Sequence, residues 1–244
     1  ATDQATDTPT NNFCTLNPVG SQTDATGTVG GENNWSMSEG NMVLTASSIY
    51  SQWATGSMAI SGGKWYWELQ VEGTYSTSDS AAYNGIMKTL SISVNQALTS
   101  NTSANTGTIT MESNGDKVVL GTTSAAWGDT FEPDDKLMIA VDCDNGKVWW
   151  GVNGVWQKSG AVGDPANGTN ESATFTAGIE FVPYGLGYTD GGAVTASPFN
   201  YNFGGCPSFT IVSGNADADG YGNFEYAVPS GFYALNTKNL AEYG

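Results

Sequence analysis

The chain has 244 residues, 39% hydrophobic and only 13% charged, and 24 acidic residues against seven lysines leave it a net charge of −17. With neither arginine nor histidine it lacks the basic groove that nucleic acid requires, the usual general base and the commonest zinc ligand. The same acidity disfavours docking on anionic lipid, while eight Trp, eleven Tyr and nine Phe suffice to bury a sizeable core. Residues 1–27 are polar, hold Pro9 and Pro18, and read as an arm or linker with an anchor around 13–16. Residues 42–46 and 57–60 give weak strand signals. The run 64–72, KWYWELQVE, is a clear strand, with Trp65, Trp67, Leu69 and Val71 on one face and Lys64, Tyr66, Glu68, Gln70 and Glu72 on the other.

A polar loop over 73–84 leads to a strand at 86–94, and a second polar loop occupies 98–107. Asn114-Gly115 joins strands at 108–111 and 117–120 as a hairpin. The most structured stretch is 137–159, LMIAVDCDNGKVWWGVNGVWQKS. Its period-two alternation and its two Asn-Gly pairs, 145–146 and 153–154, predict an antiparallel meander of three strands joined by type I′ turns. A third loop fills 160–172, a strand is expected at 175–181, a Gly-rich loop at 185–198, and a strand at 199–203. Beyond 213 only short apolar pieces remain, at 224–227 and 232–234. No segment keeps an i, i+3, i+4, i+7 apolar stripe for three turns, so no helix is expected, and none is apolar for the roughly 20 residues of a membrane span. Many short strands between regular turns predict an all-β sandwich or jelly roll. Cys14, Cys143 and Cys206 lack CxxC spacing and read chiefly as buried thiols.

Four blocks together, GKWYWELQVEG (63–73), LMIAVDCDNGKVWWGVNGVWQKSG (137–160), FVPYG (181–185) and FNYNFGG (199–205), resemble the SPRY domain. The resemblance covers roughly 28–210 and implies a concanavalin-like, jelly-roll antiparallel β-sandwich of SPRY type. The division that follows is an arm at 1–27 and a sandwich over 28–244, with a C-terminal extension from about 211 to 244. The flanks TDTPTNNFCTLNP (6–18) and GNFEYAVPSGFYALNTKNLAEYG (222–244) look like those of SPRY domains in bacteriophage tail, fibre or capsid-decorating proteins. This implies a virion structural protein, exposed on the particle surface in many copies. It would bind other virion proteins, a host receptor or a host glycan, rather than nucleic acid or a membrane, and it would not be an enzyme. A purely structural assembly module is the alternative.

Three constellations are candidates for chemistry. Tyr75, Tyr83, Tyr184 and Tyr188 lie in or beside the predicted loops, where aromatic faces can stack on sugar rings or protein surfaces; capping of the sandwich ends explains them equally. Asn215-Ala-Asp217-Ala-Asp219-Gly220, followed by Glu225, resembles the start of a calcium loop, with oxygen ligands at alternate positions. It departs from that pattern in its first residue, in the place of its last acid and in lacking flanking helices, so an acidic surface turn competes with a Ca²⁺ site. Glu68 and Glu72 share one strand face and would be the acid and base of a polysaccharide-degrading enzyme on the same fold, but the middle Asp of the ExDxxE pattern of such enzymes is missing. Tyr66 and Gln70 beside them suggest a polar, solvent-facing strand.

Overall fold

The computed structural model describes residues 8, 10–18, 22–23, 35–46, 52–72, 82–89, 107–158, 160–187 and 197–244. Among them the strands form two sheets. The larger runs, edge to edge, through β13 (Ala161–Val162), β12 (Val155–Lys158), β11 (Lys147–Val152), β10 (Lys136–Asp142), β5 (Lys64–Val71), β16 (Ser197–Asn202), β3 (Val43–Ala46) and β2 (Trp35–Ser38). Two short strands join it, β14 (Ala173–Thr174) on β11 and β17 (Tyr233–Ala234) on β5. The smaller sheet runs β1 (Gln22–Thr23), β4 (Gln52–Thr55), β15 (Phe181–Gly187), β6 (Ala82–Lys88), β7 (Thr108–Glu112), β8 (Lys117–Val119) and β9 (Thr122–Ser124). Every strand pair is antiparallel except β17 with β5.

The core lies between the sheets, where the period-two residues of β5, β10 and β11 meet in register. Ile139 sits opposite Trp67 on one side and Trp150 on the other, and Val141 lies between Trp65 and Val148. All six side chains are fully buried, and they face Ile86, Ile109, Met111 and Phe181 of the smaller sheet. Tyr201 of β16 crosses the gap, and its hydroxyl donates to Asn84 Oδ1 at 3.0 Å. Gly185 makes room for that phenol, which a Cβ at this position would strike. A separate cluster on the other face of the smaller sheet gathers Trp53, Tyr83, Met87, Val182, Tyr184 and Leu186.

The strand face of Tyr66 and Glu68 is not open to solvent, as its polar residues suggest, but is covered by both ends of the chain. Phe224 packs edge-on against Tyr66 at 5.0 Å, and Phe232 against Trp149 at 5.9 Å. Met138, Ala140, Phe13 and Ala234 complete this second core. Residues 11–17 tie the C-terminal segment to the smaller sheet. The Cys14 amide donates to the Leu235 carbonyl, the Thr237 amide to the Asn12 carbonyl, and the Asn17 amide to the Thr55 carbonyl. Burying a Phe contributes about 1.5–3 kcal/mol, so Phe224 and Phe232 weigh heavily in holding this layer.

The structure changes several local expectations. A short helix, α1 (Thr237–Tyr243), ends the chain; two turns are too short to show an apolar stripe, and its start is set by Asn236, whose side chain caps the Asn239 amide. The strand preceding the core is β4 at 52–55 rather than 57–60, and of the expected strand at 175–181 only Phe181 belongs to a strand, β15, while 175–180 is a turn region after β14, with Gly178 at φ 80°. β15 continues through Pro183 because β4 ends at Thr55, so the Pro183 ring lies against Gly56 instead of needing a ladder N–H. The 153–154 turn is the expected two-residue type, with positive φ at Asn153 and Gly154. The other spans four residues, 143–146, and only Gly146 has positive φ, because Asp142 accepts from both the backbone and side-chain amides of Asn145. No disulfide joins the three cysteines; burial pushes Cys14 up to about 11 and Cys143 to about 12.

Candidate ligand-binding surfaces

Of the four tyrosines expected at a loop edge, Tyr75 and Tyr188 lie outside the described residues. Tyr83 and Tyr184 belong to strands β6 and β15, not to loops, and are buried. Trp53 stands 6.2 Å from Tyr184, and Leu186 is registered between Trp53 and Tyr83. The Tyr184 hydroxyl has no hydrogen-bond partner among the described residues, and burial, followed by the nearby Tyr83 and Tyr201, raises its pKa well above the ordinary phenol value. Neither ring is presented for stacking on an external ligand.

The four calcium-type residues do not gather into one acidic cluster, and their polar side-chain groups serve the chain itself. Asp217 is buried, and its carboxylate accepts four hydrogen bonds. The Asp219 and Tyr221 amides reach Oδ1 at 3.0 and 2.8 Å, and the Ala234 amide and Asn239 Nδ2 reach Oδ2, both at 2.9 Å. Glu225 Oε2 accepts from the Val212 and Ser213 amides, Asn215 Nδ2 donates to the Phe224 and Glu225 carbonyls, and Asp219 Oδ2 accepts from the Tyr243 hydroxyl. A cation would have to displace these donors, and no group of three or more acidic or thiol side chains suited to a metal occurs among the described residues. The loop is a hydrogen-bonded hub, and its fit to calcium is poor.

Glu68 and Glu72 do not form an exposed acid–base pair. Glu68 is fully buried under the C-terminal segment. Its Oε1 accepts from the Tyr66 hydroxyl at 2.7 Å and the Tyr226 amide at 2.8 Å, and its Oε2 from the Glu225 amide at 2.9 Å. Burial raises the Glu68 pKa, opposed by these three donors. Glu72 follows β5 and is half-buried.

An open groove of about 630 Å³ runs between the 219–221 turn and α1, lined by Asp219, Tyr221, Lys238, Asn239, Ala241 and Glu242. Lys238 Nζ lies 5.5 Å above the Tyr221 ring and 3.3 Å from its hydroxyl. The groove presents both signs of charge beside one aromatic face, and it rests on a helix that escapes detection in the sequence. The signal that does exist for a covering layer is in β10 and β11: LMIAV and VWWGV are apolar on both faces, as strands covered on both sides must be.

No family profile matches the chain, and no curated protein sequence matches it. Among solved structures it is similar to the SPRY domain of human HERC1, with a TM-score of 0.52 and 12% identity, covering 80% of this chain and 99% of that one. It is also similar to the stonustoxin structure, with a TM-score of 0.47 and 16% identity, covering 78% of this chain and 27% of that one. With its two antiparallel sheets, the chain has the SPRY-type jelly-roll sandwich fold.

Proposed function

We propose that the chain is a non-catalytic binding module, carried in many copies on the outside of a bacteriophage particle, that attaches the particle to a host-surface receptor of glycan type or decorates its surface. The binding role is supported by the SPRY-type fold. The viral setting is supported by the sequence blocks 6–18 and 222–244. The observation that carries the reading is the use made of the buried carboxylates. Glu68 and Asp217, two of the acids singled out in the sequence, together accept seven hydrogen bonds from the chain: Glu68 fixes 225–226 to β5, and Asp217 ties the 219–221 turn to β17 and α1. What such a scaffold offers a partner is a surface, and many weak contacts on a particle add up to firm attachment.

Fluorescently labelled protein is expected to adsorb to cells of the host and to compete with the virus for adsorption. Absence of adsorption on every susceptible strain would assign the chain to particle assembly alone. Release of reducing ends from host polysaccharide by the purified protein would overturn the non-catalytic reading.

A further inference from the structure

Two of the seven lysines of this acidic chain donate to one stretch, residues 168–172, and a third stands next in sequence to a residue bonded to it. Lys117 reaches it from β8 in the smaller sheet, and its Nζ donates to the Ser172 carbonyl at 2.6 Å. Lys147 reaches it from β11 in the larger sheet; its Nζ donates to the Gly168 carbonyl at 2.6 Å and stands 3.5 Å from Glu171 Oε2. The third is Lys158 of β12. Ser172 Oγ donates to the carbonyl of Gln157, the residue just before it, at 3.0 Å. Its charge acts on both neighbours: burial and then Lys158 lower the Lys117 pKa, while a hydrogen bond to its own backbone, then Lys147 and Lys158, lower that of Glu171.

This grouping differs from the other ion pairs among the described residues. Lys64 stands 3.0 Å from Asp142 and Lys136 4.0 Å from Glu225, one lysine to one acid. At the seam between the sheets only Lys147 pairs with Glu171, Lys117 donates to the Ser172 carbonyl, and the Asp164 carboxylate is engaged by the backbone and side chain of Asn167. An ammonium has three N–H donors. Lys117 uses one on Ser172 and lies 4.6 Å over the Trp127 ring, while the Lys158 ammonium makes no hydrogen bond or ion pair among the described residues. All three side chains reach solvent. The seam thus keeps unused cationic donors around residues 168–172, beside the single carboxylate of Glu171.

We propose that Lys117, Lys147 and Lys158 form a binding site for an oxyanion, the carboxylate or sulfate of an acidic saccharide or the free ion. The site deepens the reading of the chain as a binding module by naming a surface and a ligand chemistry, and it rests on that reading only for its biological use. The test is titration of ¹⁵N-labelled protein with sodium sulfate at constant ionic strength, following the Glu171 and Ser172 amides and the Trp127 indole. Parallel titrations use a sulfated disaccharide, glucuronate and neutral lactose. Saturable shifts confined to these signals are expected with sulfate, and none with lactose. Because a hydrogen bond to a charged group is worth about 1.5–3 kcal/mol, Lys158→Gln should weaken sulfate binding about tenfold or more, and Lys238→Gln on α1 should leave it unchanged. Tighter binding of the sulfated disaccharide than of sulfate identifies a saccharide-borne ligand, and equal affinity a free ion. Shifts that grow linearly with salt, or that persist undiminished in Lys158→Gln, overturn the site. If sulfate binds while cells are not bound, the site stands and the attachment reading fails. If Lys158→Gln adsorbs to cells as well as the parent, attachment stands and this site is not its basis.

Discussion

The two faces of the larger sheet are held by different physics. Between the sheets, Trp65, Trp67, Ile139 and Trp150 pack as fully buried rings and branches, where packing is governed by volume and is tolerant of direction. On the outer face, Tyr66 and Trp149 are just as buried, but the layer above them is a tail with one two-residue strand, fastened by Glu68 and Asp217. Apolar burial alone would let such a tail slide. The amide hydrogen bonds to two carboxylates set where each residue must lie, because a hydrogen bond fails at the wrong distance or angle. The inner face makes the sandwich, and the outer face determines how the chain ends dock on it.

The strongest way to break the inner face is Trp67→Ala, which should lower the unfolding free energy by about 3–5 kcal/mol in urea denaturation. All signals should be lost together, since the strand carrying Trp67 lies at the centre of the larger sheet. Asp217→Ala should cost roughly 2–4 kcal/mol by stranding the four donors that converge on the carboxylate. Its signature is local: in hydrogen exchange the amides of 219–221, 234 and α1 should lose protection while β10 and β11 keep theirs. Equal loss of protection in both regions would mean that the outer layer and the core unfold as one.

Glu68 sharpens the comparison through pH. Because burial raises its pKa above the ordinary 4.5, the folded chain binds this proton more tightly than the unfolded chain does. Its contribution is therefore fully present below about pH 4.5 and is lost as pH rises through the raised value. Glu68→Gln removes this dependence, and turning an amide N–H toward the Glu225 or Tyr226 amide costs about 1–2 kcal/mol. The measured cost of the substitution should be largest near pH 4.5 and shrink toward pH 8. A cost that stays constant across that range would show that the carboxyl group is not shifted.

The inner face was legible in the sequence because the alternation in 64–72 sets Trp65, Trp67, Leu69 and Val71 on one side, and the Asn-Gly pairs in 137–159 mark where the neighbouring strands fold back. The outer face was legible only in part: Tyr66, Glu68 and Gln70 suggest a solvent-facing strand, whereas Trp149 beside Trp150 leaves β11 apolar on both faces. What supplies the cover was not legible. Phe224 and Phe232 are isolated aromatics among Gly, Pro and Asn, with no period to place them, and a seven-residue helix carries no stripe. Asp217 illustrates a second limit. Alternating acceptors around a Gly turn suit a cation and backbone amides equally, and only the fold brings the Ala234 amide and the Asn239 side chain to it from 17 and 22 residues away. Tyr83 and Tyr184 looked like loop residues because Gly85, Pro183 and Gly185 stand beside them. Gly185, at least, serves the crossing of Tyr201 and does not end a strand.

The smallest expected effect lies where the two regions touch. Gly154 has φ 86° in the turn between β11 and β12, and a Cβ there would sit 3.0 Å from the Tyr226 ring, next to the amide that grips Glu68. Gly154→Ala therefore meets two costs. The left-handed backbone is worth about 1 kcal/mol and belongs to the meander alone. The contact with Tyr226 belongs to the junction, and the ring must give by a few tenths of an ångström to relieve it. A double-mutant cycle with Tyr226→Ala separates them, since truncating the ring removes the second cost and leaves the first. If Gly154→Ala costs the same with and without the Tyr226 ring, the tail yields freely and the meander is indifferent to it. A smaller cost in the Tyr226→Ala background would show that the tail presses on the turn, so that the rigid meander helps position the clamp at Glu68.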